Sequence, residues 1–213
     1  MFQENILVKE CKKNNPIAQK ELYDSYADVI MAICYRYTRN MAVAEDLLQD
    51  TLVKVLTRIH AFRWRHDGSL KAWVKTVAVN TCLTYLKKMN RNRFVDYSEN
   101  ESESPVEEAQ EFREEAFGGD LQADRIDMEL IYRAELTREE MLDALASVPE
   151  PFRIVFNMHV IDGFKHDEIS RMLQINVKTS KSRLHRARKI LKDFVYQMSI
   201  EKLNNLAGEN RRS

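Results

Sequence analysis

With 213 residues, 44% of them hydrophobic, the chain can bury one large core or two small ones. Its 33 basic and 33 acidic residues cancel, five Gly and four Pro leave few helix breakers, and alternating β-branched runs are scarce, so an all-α fold is expected. No apolar run approaches the ~18 residues of a membrane span, the polar start MFQENILVKECKK lacks signal-peptide character, and Cys11, Cys34 and Cys82 are spaced as buried thiols of a reducing cytoplasm, not as a disulfide or zinc framework.

The zero total hides a partition. Residues 1–95 carry 16 basic and 9 acidic side chains, residues 96–129 carry 2 and 13, and residues 130–213 carry 15 and 11. The chain is therefore basic, acidic, basic. The first amphipathic segment, about Ile17 to Thr38, sets Leu22, Tyr26, Val29, Ile30, Ile33 and Tyr37 on one helical face, with Asn40 as its stop. A second helix, about Ala42 to His60, turns Leu48, Leu52, Val55, Leu56 and Ile59 inward. Its other face carries Glu45, Asp46, Gln49 and Asp50, then Lys54 and Arg58. Acids early and bases late satisfy the helix dipole. An acidic-polar face also suits docking on a partner's basic helix, and both readings stand.

Phe62 to Ser69 is a loop of aromatic and basic residues, and Ser69 is placed to cap a third helix, about Leu70 to Asn90. Trp73, Val77, Ala78 and Leu86 face the core, while Lys71, Lys75, Thr76, Asn80, Lys87 and Lys88 lie on the surface. Rings interleaved with cations suit single-stranded nucleic acid, because bases stack while cations hold phosphates. The same rings also fit as plugs of a small core, the better account for Trp73. The acidic stretch 96–129 has too few aliphatics for a core and reads as a mostly disordered linker.

A second domain is expected from about Ala134, with Leu136, Met141, Leu142 and Leu145 in its first helix. Pro149-Glu150-Pro151 opens a helix that Gly163 ends, with Phe152, Val155, Phe156, His159 and Val160 on its buried side. Asp167, Glu168, Ile169, Met172 and Leu173 then form a short amphipathic helix. Gln174-Ile175-Asn176 is a sharp turn, and a helix from Val177 buries Val177, Leu184, Ala187 and Leu191. Its remaining face shows Lys178, Lys181, Ser182, His185, Arg186 and Lys189. From Lys165 to Lys192 there are nine Lys or Arg against two acids. A basic face alone is commonly just solvated; one opposite an apolar stripe, behind a short helix and a three-residue turn, is the layout of a DNA-binding helix-turn-helix. The polar stretch after Met198 is expected to fray.

No catalytic constellation emerges. There is no Gly-rich phosphate loop, HExxH or GxSxG, and His60, His66, His159, His166 and His185 show no pair at ligand spacing on one face.

Three stretches in fixed order, two in the first expected domain and one in the second, resemble a known family. AEDLLQDTLVKVL (Ala44–Leu56) and GSLKAWVKTVAVNTCLTYLKK (Gly68–Lys88) are similar to the polymerase-binding and promoter-melting segments of bacterial sigma-70 factors of the extracytoplasmic-function group. LDALASVPEPFRIVFNMHVIDGFKHDEISRMLQINVKTSKSRLHRARKIL follows that family's −35-reading domain. The resemblance implies a region 2-like domain over 1–95, an acidic linker over 96–133, a region 4-like domain over 134–200 and a polar tail over 201–213. It implies that Asp46, Gln49 and Asp50 dock on core RNA polymerase. Arg63, Trp64 and Arg65, with Lys75, Thr76 and Asn80, would take −10 bases, and Lys178, Thr179, Lys181, Ser182, His185 and Arg186 would meet −35 DNA. An anti-sigma factor, membrane-associated or soluble, is a further implied partner; no catalysis, cofactor, metal or stable homo-oligomer is implied. The sequence departs from the family at Gln174, where the turn usually has Gly, at Lys165, where a capping Ser is usual, and at Thr76 and Val79, often Arg. The alternative is a one-component helix-turn-helix regulator with an N-terminal dimerising or sensing domain.

Overall fold

The computed structural model describes residues 3–89 and 134–209. The acidic stretch read as a linker lies outside them. The described residues form helices with no strand, and the chain divides into two compact units, Met1–Arg91 and Asn92–Ser213.

The first unit contains α1 (Glu4–Lys12), α2 (Pro16–Thr38), α3 (Met41–Arg58, extended by a 3-10 turn over Ile59–Ala61) and α4 (Ser69–Met89). The Asn15 side chain accepts the Ile17 N–H at 3.0 Å and Pro16 opens the first turn, so α2 starts where local chemistry favours a start. The stop differs from expectation. Arg39, left-handed at φ 51°, ends α2, while the Asn40 carboxamide oxygen accepts the Val43 N–H at 3.1 Å and opens α3. Asn40 is thus a start, because its carboxamide oxygen is an acceptor placed to serve an N–H group of α3 that has no partner within the helix.

α4 packs on both α2 and α3. Leu70, Val74, Val77, Ala78, Val79, Cys82, Leu83 and Leu86 are all buried, so it is apolar around most of its circumference. Leu22, Ile30, Val55, Leu70 and Val74 are fully buried with it, each contributing roughly 1.5–3 kcal/mol. Trp73 is half-buried with its ring 4.9 Å from that of buried Phe62, which makes these two the plug; Trp64 remains 39% exposed. The three thiols are buried, and burial pushes Cys11 up to about 11. Cys34 and Cys82, distant in sequence, meet between α2 and α4 with their sulfurs 3.7 Å apart.

The second unit contains α5 (Arg138–Ser147), α6 (Glu150–Phe156, continued by a π-helical turn over Asn157–Ile161), α7 (His166–Leu173) and α8 (Val177–Glu209). A capping box starts α5: Thr137 Oγ1 accepts the Glu140 N–H at 3.2 Å, and the Glu140 carboxylate accepts the Thr137 N–H at 2.6 Å. Leu136 therefore precedes the helix, and Met141 is exposed while Ala144 and Leu145 face inward. After α6 the wide π turn rotates the buried face. Asn157 and Met158 are buried, whereas Val160 and Ile161 point outward, against the expectation for Val160. Gly163, at φ 82°, ends the turn as expected.

α8 packs along α6, α7 and α5. It does not fray at Met198. Ser199 is fully buried, and Lys202 Nζ donates to the Glu140 carboxylate at 2.8 Å and to the Glu135 carbonyl at 3.0 Å.

Candidate nucleic-acid interface

The corner between α7 and α8 is built by backbone chemistry. Gln174 is left-handed at φ 60° and ψ 38°. Ser170 closes the turn from both sides: its hydroxyl donates to the Ile175 carbonyl at 2.6 Å, and its carbonyl accepts the Ile175 N–H at 3.2 Å. Asn176 then caps α8 by accepting the Thr179 N–H at 2.6 Å. At the other end of α7, the Glu168 carboxylate reaches back to the Lys165 N–H at 2.8 Å. That bond is one half of a capping box; the other half needs an acceptor that Lys165, a donor-only side chain, lacks, and the Glu168 N–H goes to the Lys165 carbonyl at 2.9 Å instead.

Packing fixes the angle of α8. Ile169 is fully buried, as is Ala187, with Leu184 nearly so; Val177 and Leu191 are half-buried at the ends of the stripe. Under the first turns of α8, His166 Nδ1 lies 2.9 Å from the buried Ser180 hydroxyl, and its ring stacks on His159 at 4.3 Å. His159 Nδ1 in turn lies 2.9 Å from the Phe164 carbonyl. Burial, then the nearby His159, Lys181 and Arg188, hold His166 below its ordinary pKa of 6.5, with Asp167 opposing. Sequence spacing hides this pair, because its members come from two elements.

The outward face of α8 shows Lys178, Lys181 and His185 exposed, with Thr179 and Ser182 half-buried beside them. The Ser182 hydroxyl donates to the Thr179 carbonyl at 3.1 Å. Arg186 departs from the outward placement read in the sequence: it is half-buried, its guanidinium 5.8 Å from the centre of the Phe152 ring on α6. Exposed Arg188, three residues beyond His185, joins Lys189 on the outward side instead. Val177–Lys192 has seven Lys or Arg and no acid. Arg183 is buried and Arg186 half-buried, and the other five, Lys178, Lys181, Arg188, Lys189 and Lys192, are exposed, so this part of α8 presents a positive surface, the electrostatic form that meets phosphates.

In the first unit, α3 exposes Glu45, Asp46, Gln49 and Asp50 together, one turn apart. Sequence patterning alone misses Val53, 60% exposed and placed at helical spacing beside Gln49 and Asp50. Val53 thus lies at the C-terminal edge of an exposed acidic and polar face of α3. Arg63, Trp64 and Arg65 are exposed on the loop leading into α4. Thr76 and Asn80 follow one another along an outward row of α4, Asn80 exposed and Thr76 half-buried, with half-buried Lys75 adjacent. Thr76 Oγ1 donates to the Ala72 carbonyl at 2.9 Å, which leaves its oxygen as the group it can offer a ligand. Val79 is fully buried, so that position serves the core.

Comparison with known proteins bears on both units. The family model of sigma-70 region 2 matches residues 22–92, and that of sigma-70 region 4 matches residues 138–191. The chain is 27% identical over 184 residues to the ECF RNA polymerase sigma factor SigE of Mycolicibacterium smegmatis, covering 85% of this chain and 63% of that protein's length. It is 26% identical over 185 residues to the ECF RNA polymerase sigma factor SigW of Bacillus subtilis, covering 87% of this chain and 92% of the relative. Among solved structures, the sigma factor RpoE of Bartonella quintana, in complex with the anti-sigma factor NepR, is similar at a TM-score of 0.49 and 22% identity, covering 83% of this chain and 95% of that one.

Proposed function

Because this chain belongs to the extracytoplasmic-function group of the sigma-70 family, we propose that it is a transcription initiation factor that binds core RNA polymerase, directs it to promoters carrying matched −10 and −35 elements, and assists DNA melting. Members of this family lend specificity and catalyse nothing, so the chain is not an enzyme. One observation carries the reading: regions 2 and 4 stand in one chain, in that order, matching residues 22–92 and 138–191.

Each surface then has a task. Asp46, Gln49 and Asp50, with Val53 at their edge, dock on a basic helical surface of core polymerase. The acids steer the approach and Val53 excludes water beside them. Arg63, Trp64 and Arg65, with Lys75, Thr76 and Asn80, take unstacked −10 bases: the Trp64 ring offers a stacking face and the cations hold phosphates. Lys178, Thr179, Lys181, Ser182 and His185 enter the −35 major groove from the N-terminal half of α8. Arg186 belongs to the same set through its position on α8, and its Phe152 contact joins α8 to α6. The partners are core polymerase, promoter DNA and an anti-sigma factor; the chain works as a monomer, in the cytoplasm where its template lies. No described helix is long and apolar enough to cross a membrane. The regulator reading is disfavoured because the sigma-70 region 2 match occupies the place of its sensing domain.

Co-purification with core polymerase tests the docking face. Asp46→Lys with Asp50→Lys should abolish association while helix content by circular dichroism stays unchanged, since both side chains are exposed. Loss of helix content together with binding would show the acids to be structural instead.

A further inference from the structure

The region 2 match begins at residue 22, inside α2, and leaves α1 outside it. Yet both ends of α1 hold the loop between α3 and α4. At its C-terminal end, Lys12 Nζ donates to the Phe62 carbonyl at 2.7 Å. At its N-terminal end, the Glu4 carboxylate accepts the Gly68 N–H at 2.7 Å through one oxygen and the Leu70 N–H at 2.8 Å through the other, with the Ser69 hydroxyl at 3.4 Å. Glu4 and Lys12 are eight residues apart, about 12 Å along a helix, and between them Leu7, Val8 and Cys11 are buried. α1 is thus fastened to the core and grips the loop at Phe62 and at Gly68–Leu70.

The grip replaces ordinary local capping. The first N–H groups of a helix have no intrahelical partner, and Ser69 is positioned in sequence to serve them. In the structure Ser69 is the first residue of α4, its hydroxyl facing Glu4 and the Arg65 N–H at 3.4 Å. The expected Ser69 cap is therefore replaced by a carboxylate from the start of the chain, which the positive end of the helix dipole favours further. Gly68 adopts φ 88° with open space where a Cβ would stand. Its Gly is required by the backbone turn that presents the N–H to Glu4, not by crowding.

Between the two grips lie Arg63, Trp64, Arg65, His66 and Asp67, all exposed. These include the side chains assigned above to −10 bases, so this inference rests on that assignment. We infer that α1 is a positioning element for −10 recognition: Glu4 and Lys12 hold both ends of the reading loop, so its aromatic and basic side chains meet the DNA pre-organised. A reading loop fixed before binding loses less conformational freedom when it engages, and holds the geometry that discriminates one base from another. Glu4 and Lys12 touch no DNA in this scheme.

The test uses full-length Glu4→Gln and Lys12→Met variants, each with core polymerase on a promoter library randomised at both elements, together with amide hydrogen exchange on the isolated chain. Glu4→Gln keeps the shape but loses an acceptor oxygen and the charge. Lys12→Met keeps the stem and loses the donor. Each should raise exchange across residues 63–70 about fivefold, the size of a lost helix cap. Each should also flatten base preference at the −10 element, leaving −35 preference and core affinity unchanged. Unchanged exchange in both variants would overturn the clamp. Raised exchange with an intact −10 preference, or an equal loss at both elements, would overturn its role in reading. A wild-type chain that directs no initiation would contradict the proposed function instead, and the exchange result would still decide whether α1 holds the loop.

Discussion

At Gln174 a side chain occupies a backbone conformation that suits glycine. Its φ of 60° costs a non-glycine residue about 1 kcal/mol, and the turn holds because Ser170 bonds across it from hydroxyl and carbonyl. Gln174→Gly should therefore stabilise the second unit by about 1 kcal/mol, seen as a higher thermal midpoint with unchanged helix content. A lower midpoint would mean that the Gln174 side chain holds something the backbone does not. Arg186 and Lys181 separate two jobs on one helix. Lys181→Ala should weaken −35 binding and reduce the salt slope by about one charge, with the thermal midpoint unmoved, because the side chain is exposed. Arg186→Ala should lower that midpoint, since the Phe152 contact is worth about 0.5–1 kcal/mol. Equal effects of both substitutions on stability would remove the distinction. Arg186 also marks a limit of periodicity: at 100° per residue it falls beside the exposed row, yet in the fold it turns toward Phe152 on α6, a contact between elements that spacing does not show.

Among elements, α7 and the start of α8 are joined through an ionisable contact. His166 faces His159 in the stretch before α7, Asp167 on α7 itself, and Lys181 and Arg188 on α8, and its pKa lies below 6.5 in the folded chain. The unfolded chain then binds the proton more readily, so unfolding takes up protons and stability present above pH 6.5 is lost as pH falls through the folded value. Between about pH 7.5 and about pH 5.5 the thermal midpoint of the second unit should drop, and His166→Gln, which can still bond Ser180 but does not titrate, should make that slope shallower. Identical slopes would place the pH response elsewhere. The helix-turn-helix was legible because each of its parts leaves a local mark: an apolar stripe, a turn too short to bend otherwise, and charge on the opposite face. α1 left none, since three buried residues, Leu7, Val8 and Cys11, are too few to establish a period. The π turn at Asn157–Ile161 shifted the buried face to Asn157 and Met158 for the same kind of reason. One wide turn changes the phase of a helix without changing its composition. Asn40 and Ser69 had the right chemistry for caps but not the expected roles: Asn40 opens α3 through nearby Val43 instead of stopping α2, and Ser69 is displaced at the start of α4 by Glu4, a partner far along the chain.

For the whole molecule, charge and the two regions belong together. The basic stretches 1–95 and 130–213 flank 13 acids in 96–129, and each basic stretch carries one proposed DNA-reading surface. Neither surface alone is extensive: one loop with a helix row in the first unit, one helix face in the second. Two modest readers gain strength when a scaffold spaces them to engage one promoter together, since the second contact then forms at high effective concentration. Core polymerase is that scaffold in the proposed function. The measurement that tests this most directly is fluorescence anisotropy of a labelled promoter carrying both elements, titrated with the chain alone and with the chain bound to core polymerase. The expected result is weak, salt-sensitive and sequence-indifferent binding by the chain alone, and tight binding with core that is lost when either element is scrambled. Tight, sequence-specific binding of a palindromic site by two copies of the isolated chain, with no gain from core polymerase, would contradict it.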